Sequence, residues 1–216
     1  MTLLRYCYQT IEFGGTDIHV KTLRDRQQFS DDENAAARLG ISSANWSLFG
    51  VIWPSGDALA NLMFTYDVEG KRILEVGCGI GLASLVLNHR GADITATDHH
   101  PEVQALLAIN SALNEDEEIP FVRTAWSDPR TNLGEFDLII GSDLLYETEH
   151  AEDLSGFIDN HAKLHCDVII LDPGRRQRGR FKRQMAKRGY KYLEKQSDED
   201  AKLAPSYSGE IIHYLR

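Results

Sequence analysis

The stretch "RILEVGCGIGLASLVLNHRGADITATDHHP", residues 72–101, decides how the rest of the chain is read. Ile73, Leu74 and Val76 make the apolar end of a strand. Gly77, Gly79 and Gly81 follow at alternate positions, and glycine there permits a tight turn and a close approach of ligand to backbone. A helical pattern runs to Gly91, and a second apolar run ends in Asp98. The helix begins with free N–H groups and a partial positive charge, which suit a phosphate or a carboxylate. A carboxylate closing the second strand can accept both hydroxyls of a ribose. The dinucleotide fingerprint G-x-G-x-x-G does not match, because Leu82 stands at its sixth position. A purely structural turn would also use alternate glycines.

Outward from this unit, strands are predicted at 72–76, 93–98, 120–125, 136–141 and 167–171, and helices at 81–90, 101–114, 150–164 and 177–188. Alternation of this kind predicts a parallel sheet with helices on both faces. Two last strand-like runs, "YKYLEKQ" and "GEIIHYLR", are separated by a polar loop near 197–208 and are expected to pair antiparallel. Upstream, Ile11 and Phe13 alternate before Gly14-Gly15, and Ile18 and Val20 after it, which predicts a β-hairpin. Ser30 and Glu33 have capping-box spacing for a short helix that Gly40 can stop. Residues 41–56 read as an aromatic-rich loop, and "DALANLMFTY" as a helix leading into the first central strand. The expected organisation is a single α/β, doubly wound domain over 1–216, with a mostly parallel sheet. Residues 1–50 form an N-terminal extension and 51–216 the core.

The 216 residues suit one sizeable core, and the 42% apolar share is ordinary for a globular chain. No apolar run approaches a membrane span, and "MTLLRYCYQT" lacks a signal-peptide core. Cys7, Cys78 and Cys166 have no metal-ligand or disulfide spacing, so a reduced, cytoplasmic setting is the expectation. His99-His100 has no third ligand at suitable spacing and reads as a solvated turn; no metal is expected. The formal charge of −10 disfavours nucleic acid. Residues 174–191 nevertheless carry nine Lys/Arg and no acid. That run is either a solvated helix face or a dock for an acidic partner.

"EVGCGIG" with Asp98 resembles the first and second motifs of the seven-stranded S-adenosylmethionine-dependent methyltransferases. The resemblance implies a seven-stranded, Rossmann-like fold. It implies a loop that holds the methionine part of that cofactor and an acid that holds its ribose. Glu75 matches the acidic residue of the first motif. In "FDLIIGSDLLYE", residues 136–147, Asp143 to Tyr146 resemble the Asp/Glu-x-x-Tyr/Phe motif of the family-sixteen protein methyltransferases, mostly lysine-specific with some histidine-specific members. The prolines of nucleobase-amine methyltransferases are absent from this segment. "VIWPSG" with Trp53 and "TAWSDP" with Trp126 resemble that family's segments lining the cofactor pocket, and "LDPGR", residues 171–175, is similar to a segment of some bacterial and mitochondrial members.

The resemblance therefore implies transfer of a methyl group to a protein side chain, lysine above all. Trp53, Glu75, Gly77, Gly79, Gly81, Asp98, Trp126 and Ser142 would bind S-adenosylmethionine, and Asp143 and Tyr146 would address the substrate. Lysine must react as a neutral amine although its free pKa is about 10.4. The cofactor's charge and desolvation favour neutrality. Asp143 would orient the amine, though its own charge pulls the amine pKa upward, and Tyr146 would give an aromatic face. Plain structural alternatives are a helix cap for Asp143 and core packing for Tyr146, Trp53 or Trp126. Functional alternatives are a small-molecule or RNA methyltransferase, a non-catalytic S-adenosylmethionine-binding protein, and more remotely a dinucleotide oxidoreductase.

Overall fold

The computed structural model describes residues 4–129, 131–193 and 207–216. Strand β3 (Arg72–Val76) lies at the centre of a seven-stranded sheet, and Ile73, Leu74 and Val76 are fully buried because helices cover both faces. The strands β4 (Asp93–Asp98) and β6 (Phe136–Ser142) flank it in parallel. Beyond them lie β5 (Phe121–Arg123) and β7 (Ala162–Asp172), also parallel. The chain thus winds outward through β4 and β5, then returns to place β6 beside β3. That reversal opens a crevice at the carboxyl ends of β3 and β6. Strand β9 (Glu210–Leu215) enters antiparallel between β7 and β8 (Lys191–Leu193), as the strand pattern of the last two runs predicts.

Successive residues of a strand point to opposite faces, so each central strand feeds two cores. Ile73 and Ile140 join Leu59 and Met63 of α3 (Pro54–Thr65), Leu85 of α4 (Leu82–His89) and Leu107 of α5 (Val103–Leu113). Leu74 and Ile139 join Leu154 and Phe157 of α6 (His150–His161) and Phe181 and Met185 of α7 (Arg178–Lys187).

The hairpin of β1 (Tyr6–Phe13) and β2 (Thr16–Leu23) turns at Gly14-Gly15, in the register that sets Ile11 opposite Ile18. It is a separate two-stranded sheet. Two carboxamides one helical turn apart, Asn110 on α5 and Asn114 at its C-cap, complete its inner edge. Asn114 Oδ1 accepts from His19 N at 2.7 Å and its Nδ2 donates to His19 O at 2.8 Å. Asn110 makes the same pair with Lys21 N and O, at 2.8 and 3.3 Å. Spacing of i, i+4 on the helix meets spacing of i, i+2 on the strand, so α5 serves as a third strand.

Four local expectations are corrected. The helix α1 (Ala35–Arg38) is capped by Asp31, whose carboxylate accepts from Ala36 N and Ala37 N, not by the Ser30–Glu33 pair. Residues 41–56 are not an open loop. Ser42 caps α2 (Ser43–Trp46), a 3-10 turn over Ser47–Gly50 follows, and α3 starts at Pro54, where a missing N–H costs nothing. Helix α6 ends at His161 and runs straight into β7, which starts five residues before the predicted strand; a register shift between Phe136 and Leu138 absorbs the surplus. The described basic run is not a uniformly solvated face, as shown below. Of the polar loop expected near 197–208, residues 197–206 lie outside the described residues.

Candidate active site

Nine of the ten residues singled out from sequence line one cavity of about 710 Å³ at the carboxyl ends of β3, β4 and β6. That volume is in the range of roughly 300–1,000 Å³ common for cofactor and small-ligand sites. Gly81 is the tenth. It does not line the cavity; it stands at the start of α4, where a Cβ would come within 2.6 Å of Leu107 Cδ1. Gly77, which does line the cavity, is as tightly constrained. Its φ is +62°, and a Cβ there would stand 2.6 Å from Leu144 Cδ2.

Two carboxylates form the deep wall. Glu75 is buried because β3 turns it towards the start of α4, where Ser84 N donates to its Oε2 at 3.0 Å and the Ser84 hydroxyl donates to the same oxygen. Burial pushes its pKa up to about 7 despite those bonds, and the nearby Asp98 adds to the rise. Asp98 accepts from Gly79 N at 2.9 Å on one oxygen and from His100 N at 2.8 Å on the other. Burial raises Asp98 as well, against the pull of those N–H groups. An ionised carboxyl has about four acceptor sites, so capacity for a ligand's hydroxyls is left.

His100 corrects the solvated turn expected at His99-His100. The residue is only 6% exposed, and its ring stacks on Phe49 at 4.0 Å and meets Trp46 edge-on at 5.6 Å. Burial pushes its pKa down to about 4, so it is neutral. Nδ1 accepts from Glu102 N, which leaves the hydrogen on Nε2. That buried N–H has no partner among the described residues, and His100 lines the cavity. The aromatics Trp46 and Phe49 that hold it come from the segment the sequence reads as loop.

At the rim, Trp53 donates from Nε1 to Leu48 O at 3.0 Å. His150 of α6 lies between two other aromatics, 5.0 Å from Trp126 and 4.5 Å from Tyr146, edge-on to both. His150 Nδ1 is 2.8 Å from Leu144 O; a carbonyl only accepts, so this nitrogen carries a hydrogen. Tyr146 is half exposed and is not core packing. Desolvation in the cavity, then the carboxylates of Asp98, Glu147 and Asp143, push its phenol up to about 12.

Asp143 follows β6 directly with φ +56°, and its N–H donates to Leu171 O at 2.9 Å. Among the described residues no side chain caps α6, and Asp143 does not serve as its cap. Its carboxylate instead takes a bidentate pair from Arg175, with Nε at 2.6 Å and Nη2 at 2.9 Å. Asp172 turns the chain to make that reach possible, accepting from Gly174 N and Arg175 N at 2.8 Å each. A second depression of about 300 Å³, lined by Trp53, Pro54, Ser55, Pro173 and Gly174, meets the cavity at this ion pair. Sequence reasoning singled out neither Arg175 nor His150.

The charge of the lining is one-sided. Glu75, Asp98, Asp143, Glu147 and Asp153 face the cavity, against Arg175 alone among Lys and Arg of the described residues. The basic run also turns partly inward. Arg175 pairs with Asp143, Arg180 with Glu152, and Arg178 and Lys182 with Glu210, which occupies four of the nine cations.

A family model described as lysine methyltransferase matches residues 35–188. The electron transfer flavoprotein beta subunit lysine methyltransferase of Mus musculus is 31% identical over 140 residues, 63% of this chain and 53% of that protein. Protein N-lysine methyltransferase METTL21A of Danio rerio is 33% identical over 125 residues, 50% of this chain and 54% of that protein. The chain spans about half the length of the curated relatives it matches. Among solved structures, the ribosomal protein L11 methylase of Lactobacillus delbrueckii subsp. bulgaricus superposes with a TM-score of 0.55 at 25% identity, covering 73% of this chain and 75% of that one.

Proposed function

The chain belongs to the lysine methyltransferase family, and from that premise we propose that it transfers a methyl group from S-adenosylmethionine to a lysine side chain of a protein. One juxtaposition supports this most directly: Asp143 and Tyr146 stand over a cavity whose deep wall is Glu75 and Asp98. The residues fit the cofactor chemically. Among the described residues, a lining of five carboxylates and one guanidinium suits a ligand with ammonium and sulfonium charges, and the unpartnered His100 N–H is a donor for a ligand's acceptor.

When bound, the cofactor supplies a methyl carbon on a sulfonium, to which the amine's lone pair bonds as the carbon–sulfur bond breaks with its electron pair going to sulfur. The chain's own work is alignment and exclusion of water. In this reading Asp98 holds the ribose hydroxyls and Glu75 the ammonium of the amino-acid end, while Gly77, with no side chain, lets the ligand lie against the backbone. Trp53, Trp126 and Ser142 complete the pocket. Asp143 orients the amine and Tyr146 covers its carbon chain. Tyr146, with a pKa near 12, keeps its proton at neutral pH and is no base; the amine's proton leaves to water.

Incubation of a cell extract with S-[methyl-³H]adenosylmethionine and the protein, followed by protease or ribonuclease, tests the reading. Label lost to protease and retained after ribonuclease, then mapped to lysine by mass spectrometry, supports it. Label that survives protease and is lost to ribonuclease overturns it.

A further inference from the structure

The proposed reaction carries an electrostatic conflict. Asp143 at the rim is well placed to orient an amine, yet a bare carboxylate stabilises the ammonium form, which has no lone pair to give. The geometry points to Arg175 as the residue that resolves this. We propose that its guanidinium, locked on both oxygens of Asp143, cancels the carboxylate's field so that the substrate lysine sits there as a free amine. This inference rests on the protein-lysine reading and extends it with a positioning residue that acts through Asp143.

Four points carry it. The pair is bidentate, at 2.6 and 2.9 Å, the geometry in which Arg is matched to carboxylate. The Asp143 side chain is 11% exposed against 41% for Arg175, so the carboxylate faces inward and the cation shields it from the rim side. Each carboxylate oxygen keeps a second lone pair, so an amine N–H can still be received while Arg175 stays in place. The ion pair also stands where the cavity meets the outer depression, which is where a side chain reaching in from a protein surface must pass.

The other titratable groups around this point come from several elements. Tyr146 and Glu147 belong to the same loop as Asp143, His150 and Asp153 to α6, and Asp98 to β4. Asp172, at the end of β7, and Tyr207, ahead of β9, lie within the reach of the Asp143 charge. All are present in wild type and variant alike. A difference between forms that differ only at Arg175 therefore isolates the guanidinium.

The experiment measures the pH dependence of kcat from pH 6 to 10. It uses the intact protein, S-adenosylmethionine and the purified target found by the labelling experiment. Arg175→Gln is expected to move the acid limb of the profile about one pH unit alkaline, the lower end for an opposed charge at this distance. Activity near neutrality then falls about tenfold and recovers at high pH. Arg175→Lys keeps the charge without the fork, and is expected to lower the rate with the limb close to wild type. Asp143→Asn alone is expected to move the limb to lower pH, and Asp143→Asn with Arg175→Gln to bring it back near wild type at a reduced rate. A single cooperative thermal unfolding transition in each form shows that the variants fold. A limb unmoved in Arg175→Gln, with the rate merely scaled, makes the pair structural and overturns the proposal. Arg175→Gln faster than wild type at every pH makes the guanidinium a barrier to substrate and also overturns it. Failure of wild type to label any protein is a different result: it removes the protein-lysine reading before any variant is compared.

Discussion

Cofactor affinity should fall on acidification below neutrality, and Glu75 sets the size of the effect. In the free protein burial holds its pKa up at about 7, from an ordinary 4.5. The cost of ionising it there is of the order of 3 kcal/mol, with the Ser84 bonds already counted. A bound ammonium returns the missing partner, so binding drives a proton off Glu75. Below pH 7 each unit then weakens binding by a factor that approaches ten. Between pH 7 and 5.5 the dissociation constant should rise about tenfold. Isothermal titration calorimetry in two buffers of different ionisation enthalpy reads both the affinity and the protons released. Glu75→Gln should bind more weakly at pH 7 and lose most of the slope. In the unliganded chain the same group acts the other way. Its pKa is raised, so its contribution to stability is full below 4.5 and is lost as pH climbs through about 7. Relative to wild type, unliganded Glu75→Gln should therefore be more stable at pH 8 than at pH 5. A wild-type dissociation constant constant within about twofold from pH 7 to 5.5 refutes the assignment of Glu75 to a cationic part of the ligand.

Asn110→Ala leaves the Lys21 N–H and C=O without their partners beside α5, so thermal or urea unfolding should show a loss of about 1–3 kcal/mol. Limited proteolysis should then cut the hairpin first. Gly77→Ala places a methyl 2.6 Å from Leu144 on a backbone with φ +62°, and S-adenosylmethionine affinity measured by calorimetry should fall by more than about tenfold. Tyr146→Phe keeps the aromatic face and should retain transfer to the labelled target within a few fold, whereas Tyr146→Ala should lose about tenfold or more.

What the sequence makes legible is what local patterns encode. Strands β3 and β4 fall on their predicted residues because short runs of apolar and β-branched residues, closed by Gly77 and by Asp98, leave one reading. The acid at the end of β4 and the motif after β6 reach one cavity because a doubly wound sheet gathers its carboxyl ends there. The rest depends on partners distant in the chain. Arg175 lies 32 residues from Asp143, and nothing in "LDPGR" states which acid it will meet. His100 looks solvated beside His99 until Trp46 and Phe49, from a segment with no long periodicity, close over it. Asp31 takes the cap that spacing assigned to Ser30 and Glu33, since its carboxylate reaches two N–H groups at once. Gly81 shares its alternate spacing with Gly77 and Gly79 but meets Leu107 of α5, a packing constraint that looks the same in sequence as a ligand constraint.

The carboxylates of the cavity fall into two sets that are balanced in different ways, and the proposed chemistry needs both. Glu75 and Asp98 lie deep, are raised by burial, and among the described residues have only uncharged hydrogen-bond donors. Such groups gain most from a ligand that brings positive charge with it. Asp143 stands at the rim and already holds a guanidinium of the chain's own. If Asp143 were left bare like the deep pair, a lysine arriving as ammonium would be held in its unreactive form; if the deep pair were compensated like Asp143, the ammonium of the cofactor would find its partner already taken. The placement of the lining guanidinium at the rim, and not beside Glu75, thus separates a site that takes up charge from one that must avoid fixing it. S-adenosylhomocysteine carries the same ammonium and ribose, so Glu75→Gln should weaken its binding and that of S-adenosylmethionine by similar factors in calorimetry at pH 7. Weakening of S-adenosylmethionine alone would set Glu75 against the sulfonium and refute its assignment to the amino-acid end.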